Sequence, residues 1–423
     1  MVQVSRRSNR TSILDPFQLK IVGDPSPEAW NRVRRYASWM HRVSVESVLG
    51  EETLSKLRLN APTGRWFPAL QELSWSITKS NLPYIDLFLS PHLTGFSVSI
   101  SSGNFKVPRK LLQVIASTIS ELPAPTLQCL SVDVDCHWIP PAHFKDSLSS
   151  VVLRCGPSFM QFSSPTPLSD AAITHLIHLP HLRTWHTKQP PPSYSASSLP
   201  LVFPPLTEFS IGEGAGHGWL SLFASLGRRA SSTQGTTPLS WVRESLEFLN
   251  IGDFPDSIIN VSFASIIQTF RNLTNLNVPV SCRDDQCIFK LDDDNVTELA
   301  TALPRLRSLL LGHPCDNNTC STTVACLLQI SVRCLGLQSL EIHFNTTNIV
   351  DDLKNISEDP RFQELRLRPK CGLSCLDVDD MSLILEESDR ETVAIGMLDI
   401  FPDLVCCDGW EEVIWEIAEL RGL

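Results

Sequence analysis

The sequence predicts an α/β leucine-rich-repeat solenoid: a curved parallel β-sheet on the concave side and helices on the convex side. Three observations carry that prediction. A motif L-x-x-Φ-x-Φ, with Φ apolar, recurs down most of the 423 residues. The position between its two Φ residues is mostly polar, as expected if strand side chains alternate faces. Segments of helical periodicity fill several of the gaps between copies.

The copies run in order as PALQELSWSI, PHLTGFSVSI, PTLQCLSVDV, DSLSSVVLRC, PHLRTWHTKQ, PPLTEFSIGE, ESLEFLNIGD, RNLTNLNVPV, PRLRSLLLGH, LGLQSLEIHF, CGLSCLDVDD and, degraded, PDLVCCDGWE. Their first leucines are Leu70, Leu93, Leu127, Leu148, Leu182, Leu206, Leu246, Leu273, Leu306, Leu337, Leu373 and Leu404. Separations of 21 to 40 residues, averaging about 30, fit long and variable repeat units. The outward positions are Ser74, Ser97, Ser131, Val152, His186, Ser210, Asn250, Asn277, Leu310, Glu341 and Asp377, nine of the eleven polar. Between copies, LLQVIASTISEL, LSDAAITHLIHL, WLSLFASL, VSFASIIQTF, VTELATAL and VACLLQISVRCL place apolar residues at helical spacing. The repeat is therefore strand, loop, helix, loop, stacked so that successive strands pair in parallel.

Residues 1–60 are predicted as an N-terminal helical capping region with a joining segment around 28–48, and 61–423 as the repeats. A capping helix over about 409–421 puts Trp410, Val413, Ile414, Ile417 and Ala418 on one face. The Pro/Ser-rich KQPPPSYSASSLPLVFPP and GRRASSTQGTTP are surface excursions from the stack.

Composition narrows the function. Lys plus Arg is 35 against 46 Asp plus Glu, a formal charge of −11. That balance argues against nucleic-acid or anionic-membrane binding, which needs phosphate-neutralising cations. No run of about 18 apolar residues offers a membrane span. The opening MVQVSRRSNRTS is basic without an apolar core, so no signal peptide is expected. Thirteen scattered cysteines then read as reduced thiols of a cytoplasmic or nuclear protein. Seven Asn-x-Ser/Thr sequons, at Asn9, Asn260, Asn272, Asn295, Asn317, Asn345 and Asn355, favour the alternative of a secreted, glycosylated repeat protein.

No reaction is suggested. The glycines of LTEFSIGEGAGHGWLSLFASL follow a strand and precede a helix, as a phosphate loop does. From Gly212 and Gly214, however, the third position of G-x-G-x-x-G falls on His217, and from Gly214 and Gly216 on Trp219. The three glycines of that fingerprint allow the tight turn, close phosphate approach and close helix packing, so without the third these glycines read as a strand-to-helix turn. Asp292, Asp293 and Asp294 lack the spaced oxygen ligands of a calcium loop and suit a helix N-terminus. Two repeats place cysteines at equivalent offsets, Cys282 and Cys287, then Cys315 and Cys320, a weak candidate zinc site with His313 as a substitute ligand. Their alternative is small, semi-buried loop positions. His175, His178, His181 and His186 fit a helix-to-strand passage. No nucleophile elbow, H-E-x-x-H or Walker motif is present, so neither enzyme activity nor a cofactor is predicted.

Three segments resemble the F-box/leucine-rich-repeat-like proteins of fungi: AWNRVRRYASWMHRVSV (29–45), CSTTVACLLQISVRCLGLQSLEIHFNT (320–346) and the span from CGLSCLDVDD to FPDLVCCDGWEEV (371–413). The first is similar to the helix joining an F-box to the first repeat, the others to recurring and closing repeats. The resemblance implies the substrate-recognition part of a ubiquitin-ligase receptor. It also implies a Skp-family adaptor and cullin as partners where a longer product supplies an F-box, since residues 1–28 lack the usual L-P-x-E-(I/L)-L start. The alternative is a stand-alone scaffold or sensor. In either case a protein partner is expected on the concave face. The candidate residues there are Glu72, Ser131, Asp133, Val152, Arg154, His186, Glu208, Phe248, Asn250, Asn277, Leu310, Glu341, His343 and Asp377. Val152, Phe248 and Leu310 are its expected exposed apolar anchors.

Overall fold

The computed structural model describes residues 2–5, 18–21, 25–45, 51–61, 65–78, 80–100, 109–134, 142–189, 204–212, 219, 244–252, 267, 270–279, 292–312, 321–342, 344–377, 387–408 and 410–422. The chain divides into two compact units, Met1–Thr187 and Lys188–Leu423.

In the first unit, β1 (Val2–Ser5) and β2 (Gln18–Ile21) form an antiparallel pair. Helix α1 (Pro27–Ala37) starts on an N-cap, Ser26, whose side chain accepts from the Ala29 N–H, with proline in its first turn. It buries Trp30, whose ring lies 5.5 Å from that of Trp66. Six strands then stack in parallel: β3 (Arg42–Val45), β4 (Glu72–Ser76), β5 (Gly95–Ile100), β6 (Cys129–Val134), β7 (Gln161–Ser164) and β8 (Thr184–Thr187). The return segments include α2 (Glu51–Leu59), α3 (Arg109–Ser120), α4 (Ala142–Arg154) and α5 (Asp170–Ile177). A 3₁₀ turn, Leu82–Phe88, replaces the helix between β4 and β5. Buried Asn81 closes that short repeat. Its Oδ1 accepts from the Thr78 N–H and Trp75 Nε1, and its Nδ2 donates to the Ser76 carbonyl.

The second unit repeats the scheme with seven parallel strands: β9 (Glu208–Ile211), β10 (Phe248–Ile251), β11 (Asn275–Val278), β12 (Ser308–Leu311), β13 (Ser339–Ile342), β14 (Cys375–Asp377) and β15 (Cys406–Asp408). Its described helices include α6 (Asp293–Ala302), α7 (Val324–Arg333), α8 (Ile349–Glu358), α9 (Pro360–Arg366), α10 (Glu387–Ile400) and α11 (Glu411–Arg421). Asp292 caps α6, accepting from the Asn295 N–H at 2.8 Å, and Asp293 accepts from the Thr323 N–H and hydroxyl. These carboxylates serve helix starts, as the sequence suggested. In α11, Trp410 before its start and Val413 and Ile417 within it are buried.

One device recurs in both units. The carbonyl just after the leading residue of most repeats accepts two N–H groups from the next repeat. Gln71 O takes those of Thr94 and Gly95, and Arg307 O takes those of Gln338 and Ser339. The leading residue is thereby fixed above the core, and Leu70, Leu93, Leu127, Leu182, Leu206, Leu246, Leu273, Leu306, Leu337, Leu373 and Leu404 are all buried.

The same device corrects the sequence reading in one repeat. The carbonyl that pairs forward between β6 and β8 belongs to Met160, so the leading residue is Phe159 and the strand is Gln161–Ser164. DSLSSVVLRC, expected as a strand, is the C-terminal part of α4. Leu148, Val151 and Leu153 fill the motif's first, fourth and sixth positions, but the buried residues are Leu148, Val151 and Val152, at helical spacing, so the motif matched a helix. The device also adds a repeat: His41 O accepts from the Gln71 and Glu72 N–H groups, so β3, led by Met40, belongs to the sheet and lies inside the predicted joining segment.

Candidate functional site

Along every central strand the burial alternates, so the face opposite the helices carries in-register rows of partly exposed side chains. In the first unit the middle row is Ser44–Ser74–Ser97–Ser131–Ser163–His186. Five consecutive serines make it narrow and hydroxyl-lined. Asp133 extends the next row beside Ser76 and Ser99 and is exposed. Glu72 pairs with Arg42 at 2.9 Å. Gly95, its neighbour on β5, leaves room for it: a Cβ there would lie 3.1 Å from Glu72 Cγ. Cys129, the next residue of that row, has its thiol pKa raised, by burial first and then by the Glu72 charge.

The second unit's middle row is Ser210–Asn250–Asn277–Leu310–Glu341–Asp377. Its first row runs Glu208–Phe248–Asn275–Ser308–Ser339–Cys375–Cys406. All of the partner-binding candidates in this unit that are described, Glu208, Phe248, Asn250, Asn277, Leu310, Glu341 and Asp377, are half-buried on this one face. The Oδ1 atoms of Asn250 and Asn277 are buried with no hydrogen-bond partner, although the two residues are direct cross-strand neighbours. A buried acceptor without a donor costs about 1–3 kcal/mol.

Two candidates leave the face. Val152 is 0 % exposed inside α4, so it is core and no anchor. Arg154 ends α4, and its Nη2 donates to the Ser120 carbonyl at 2.8 Å. His343 lies outside the described residues, as do Cys282, Cys287, Cys315, Cys320 and His313. Among the described residues no group of three or more His, Cys, Asp or Glu is placed to hold a metal ion. His175 Nε2 and His178 Nδ1 each donate to a main-chain carbonyl, those of Cys155 and Thr174. No described helix is long and apolar enough to cross a membrane.

The cysteines divide by environment. Burial pushes the Cys155 and Cys334 thiols up to about 12 and Cys371 up to about 11, the range of inert core thiols. Cys375 and Cys406, read from sequence as reduced, are instead bonded to each other. They occupy paired positions on β14 and β15 with Cα atoms 4.7 Å apart, within ordinary disulfide reach. Equivalence of position along a stack, used in the sequence to pair other cysteines, brings these two together.

The glycine stretch that resembled a phosphate loop is described only at its ends. A Cβ at Gly212 would collide with the Lys188 side chain, so glycine is required there by close packing. Trp219 is buried, its ring 5.1 Å from Phe209 and its Nε1 donating to the Gln189 carbonyl at 2.8 Å. Gly214 and Gly216 lie outside the described residues.

Comparison with protein-family models and with curated proteins finds no match. Among solved structures, the chain is similar to a chain in the crystal structure of the Rad7 and Elc1 complex in yeast, with 17% identity, a TM-score of 0.41, and 86% of each chain covered.

Proposed function

We propose that this chain is a non-catalytic protein-binding module whose open sheet face in the second unit receives a partner, and that it acts as the recognition part of a receptor of the F-box/leucine-rich-repeat kind. One observation carries the reading. Asn250 and Asn277 hold two neighbouring acceptors without donors, flanked by Phe248 and Leu310 on adjoining strands. Unpaired acceptors are tolerated where a partner supplies donors on binding, and half-buried apolar neighbours supply contact area. Glu208, Glu341 and Asp377 add negative charge, which favours a partner segment rich in N–H donors and Lys or Arg. The receptor assignment is supported by the three sequence segments resembling that family. The exposed Tyr36 and Trp39 of the joining region, in edge-to-face contact 6.0 Å apart, support a further protein contact there.

The test is purification of the tagged chain and of an Asn277→Arg, Leu310→Arg variant from the same cells, followed by quantification of associated proteins. The reading expects a defined set of partners lost from the folded variant, with a Skp-family adaptor and cullin retained by both. Partners identical in the two samples would remove the open face from the reading. Absence of adaptor and cullin from both would leave a stand-alone scaffold.

A further inference from the structure

The second unit has another edge, where its helices turn back into strands. Arg271 and Arg305 lie in the turns before β11 and β12, Arg333 ends α7, and Arg368 follows α9. Contacts connect the repeats that carry them. Arg305 Nη1 donates to Asn272 Oδ1, next to Arg271, at 2.9 Å. Arg333 Nε donates to Thr301 Oγ1, in the last turn of α6, at 2.7 Å. Arg333 also lies close enough to Arg368 for the second guanidinium to add to burial in lowering its pKa.

The charge of these arginines is poorly compensated. Arg368 pairs with Glu364 at 2.6 Å, with both side chains more than half exposed. Among the described residues no carboxylate pairs with Arg271, Arg305 or Arg333, and the partners of Arg305 and Arg333 are neutral. The C-termini of α6 and α7 supply only about half a negative charge each. Four guanidiniums thus retain net positive charge in a chain whose overall charge is −11. Two leucines near these arginines lie in open solvent: Leu335, two residues after Arg333, is 53% exposed, and Leu367, next to Arg368, is 88% exposed.

We propose that this turn edge is a second docking surface, for an acidic, aliphatic-bearing segment of a partner protein. Guanidinium forks match carboxylates in pairs, and arginine is enriched among the residues that anchor interfaces; the exposed leucines add apolar contact area. Nucleic acid fits less well. Single strands need aromatic platforms for their bases, whereas aliphatic leucines lie near these arginines, and the acidic chain would repel phosphate at a distance. The edge has the opposite sign to the open face of the same unit, so the two surfaces select different partner chemistry.

The test uses the full chain and a short fluorescein-labelled peptide of Asp and Glu containing two leucines, read by fluorescence anisotropy. Wild type is expected to bind it. An Arg305→Gln, Arg368→Gln variant, both positions being exposed, should bind roughly ten-fold more weakly with its melting temperature unchanged. Leu367→Ser should weaken binding a few-fold. Equal binding by wild type and the arginine variant overturns the proposal. So does equal affinity for a leucine-free acidic peptide or for a single-stranded oligonucleotide of the same charge. Sedimentation velocity identifies the remaining case: an anisotropy rise explained by self-association also overturns it. None of these outcomes depends on the open face, whose variant Asn277→Arg, Leu310→Arg should bind this peptide as wild type does.

Discussion

The two units present the same backbone ladder with different side chains on it. In the first, the middle row is serine on five strands in succession; in the second, the corresponding row is Ser, Asn, Asn, Leu, Glu and Asp. Inward positions do not diverge in this way: Leu73, Phe96 and Leu130 are as buried as Leu249, Leu276 and Leu309. Packing constrains one face of each strand and leaves the other free, so differences confined to the free face are where binding specificity is built. A short hydroxyl can satisfy itself with solvent or a nearby carbonyl. Paired asparagines and a leucine cannot all do so, which is why the second unit is the stronger candidate.

The largest expected effect tests whether the two faces are assigned correctly. Leu309 is 1% exposed and Leu310, the next residue, is half-buried on the open face. Leu309→Ala should destabilise by about 2–5 kcal/mol, the range for a buried leucine truncation that leaves a cavity. Leu310→Ala should cost well under half of that. Urea denaturation of the two variants measures both values, and equal losses would mean that the free face is not free.

A smaller effect separates the two middle rows. Asn277→Leu removes an unpartnered buried acceptor and adds apolar volume on a half-open face, so it should be neutral or stabilise by about 1 kcal/mol. Ser97→Ala, at the corresponding place in the serine row, should change stability by less than about 0.5 kcal/mol. A loss of more than about 1 kcal/mol in Asn277→Leu would show that the asparagine already has a partner in the free chain. The contrast between units would then be one of composition alone.

Much of this was legible before any coordinates, because a leader every thirty or so residues can be buried only if successive strands stack. Leu70 through Leu404 identified eleven of the sheet strands correctly in kind, and the outward serines and asparagines followed from alternation. Legibility failed where the residue type changed. Phe159 leads β7 from the core, and Met40, 40% exposed, stands at the leader position of β3; both escape a motif written for leucine. It failed again where two periodicities coincide, as at Leu148 and Val151, whose spacing of three fits both a helix face and the first two apolar positions of the repeat. The Cys375–Cys406 bond had a signal available, equivalent position in successive repeats, two residues after Leu373 and Leu404. That signal becomes readable only once each repeat's register is known.

The last contrast is in titration. Carboxylates with a resolved shift in the first unit, Glu28 and Glu52, are lowered by hydrogen bonds, from the Glu28 main chain and Ser26 and from Lys56. The second unit has lowered ones too, at Asp292 and Asp359, but among the described residues it alone has raised ones. Burial raises Asp293 against the opposing Thr323 bonds, and burial followed by the Asp293 and Asp351 charges raises Asp352. A carboxyl with its folded pKa raised binds its proton more tightly folded than unfolded. Its contribution to stability is full below the unfolded value of about 4 and is lost as pH rises through the folded value. Lowered groups act in the reverse sense: their contribution is present above the unfolded value and is lost as pH falls through the folded one. Asp352→Asn fixes the neutral state and takes a like charge away from Asp293. It should therefore stabilise the chain near pH 7 and do nothing near pH 3, where wild type is itself protonated at that site. Urea midpoints of wild type and variant at the two pH values give the difference directly. An advantage of the same size at both would assign it to amide hydrogen bonding, and the repulsion between the α6 and α8 carboxylates would be discarded as its cause.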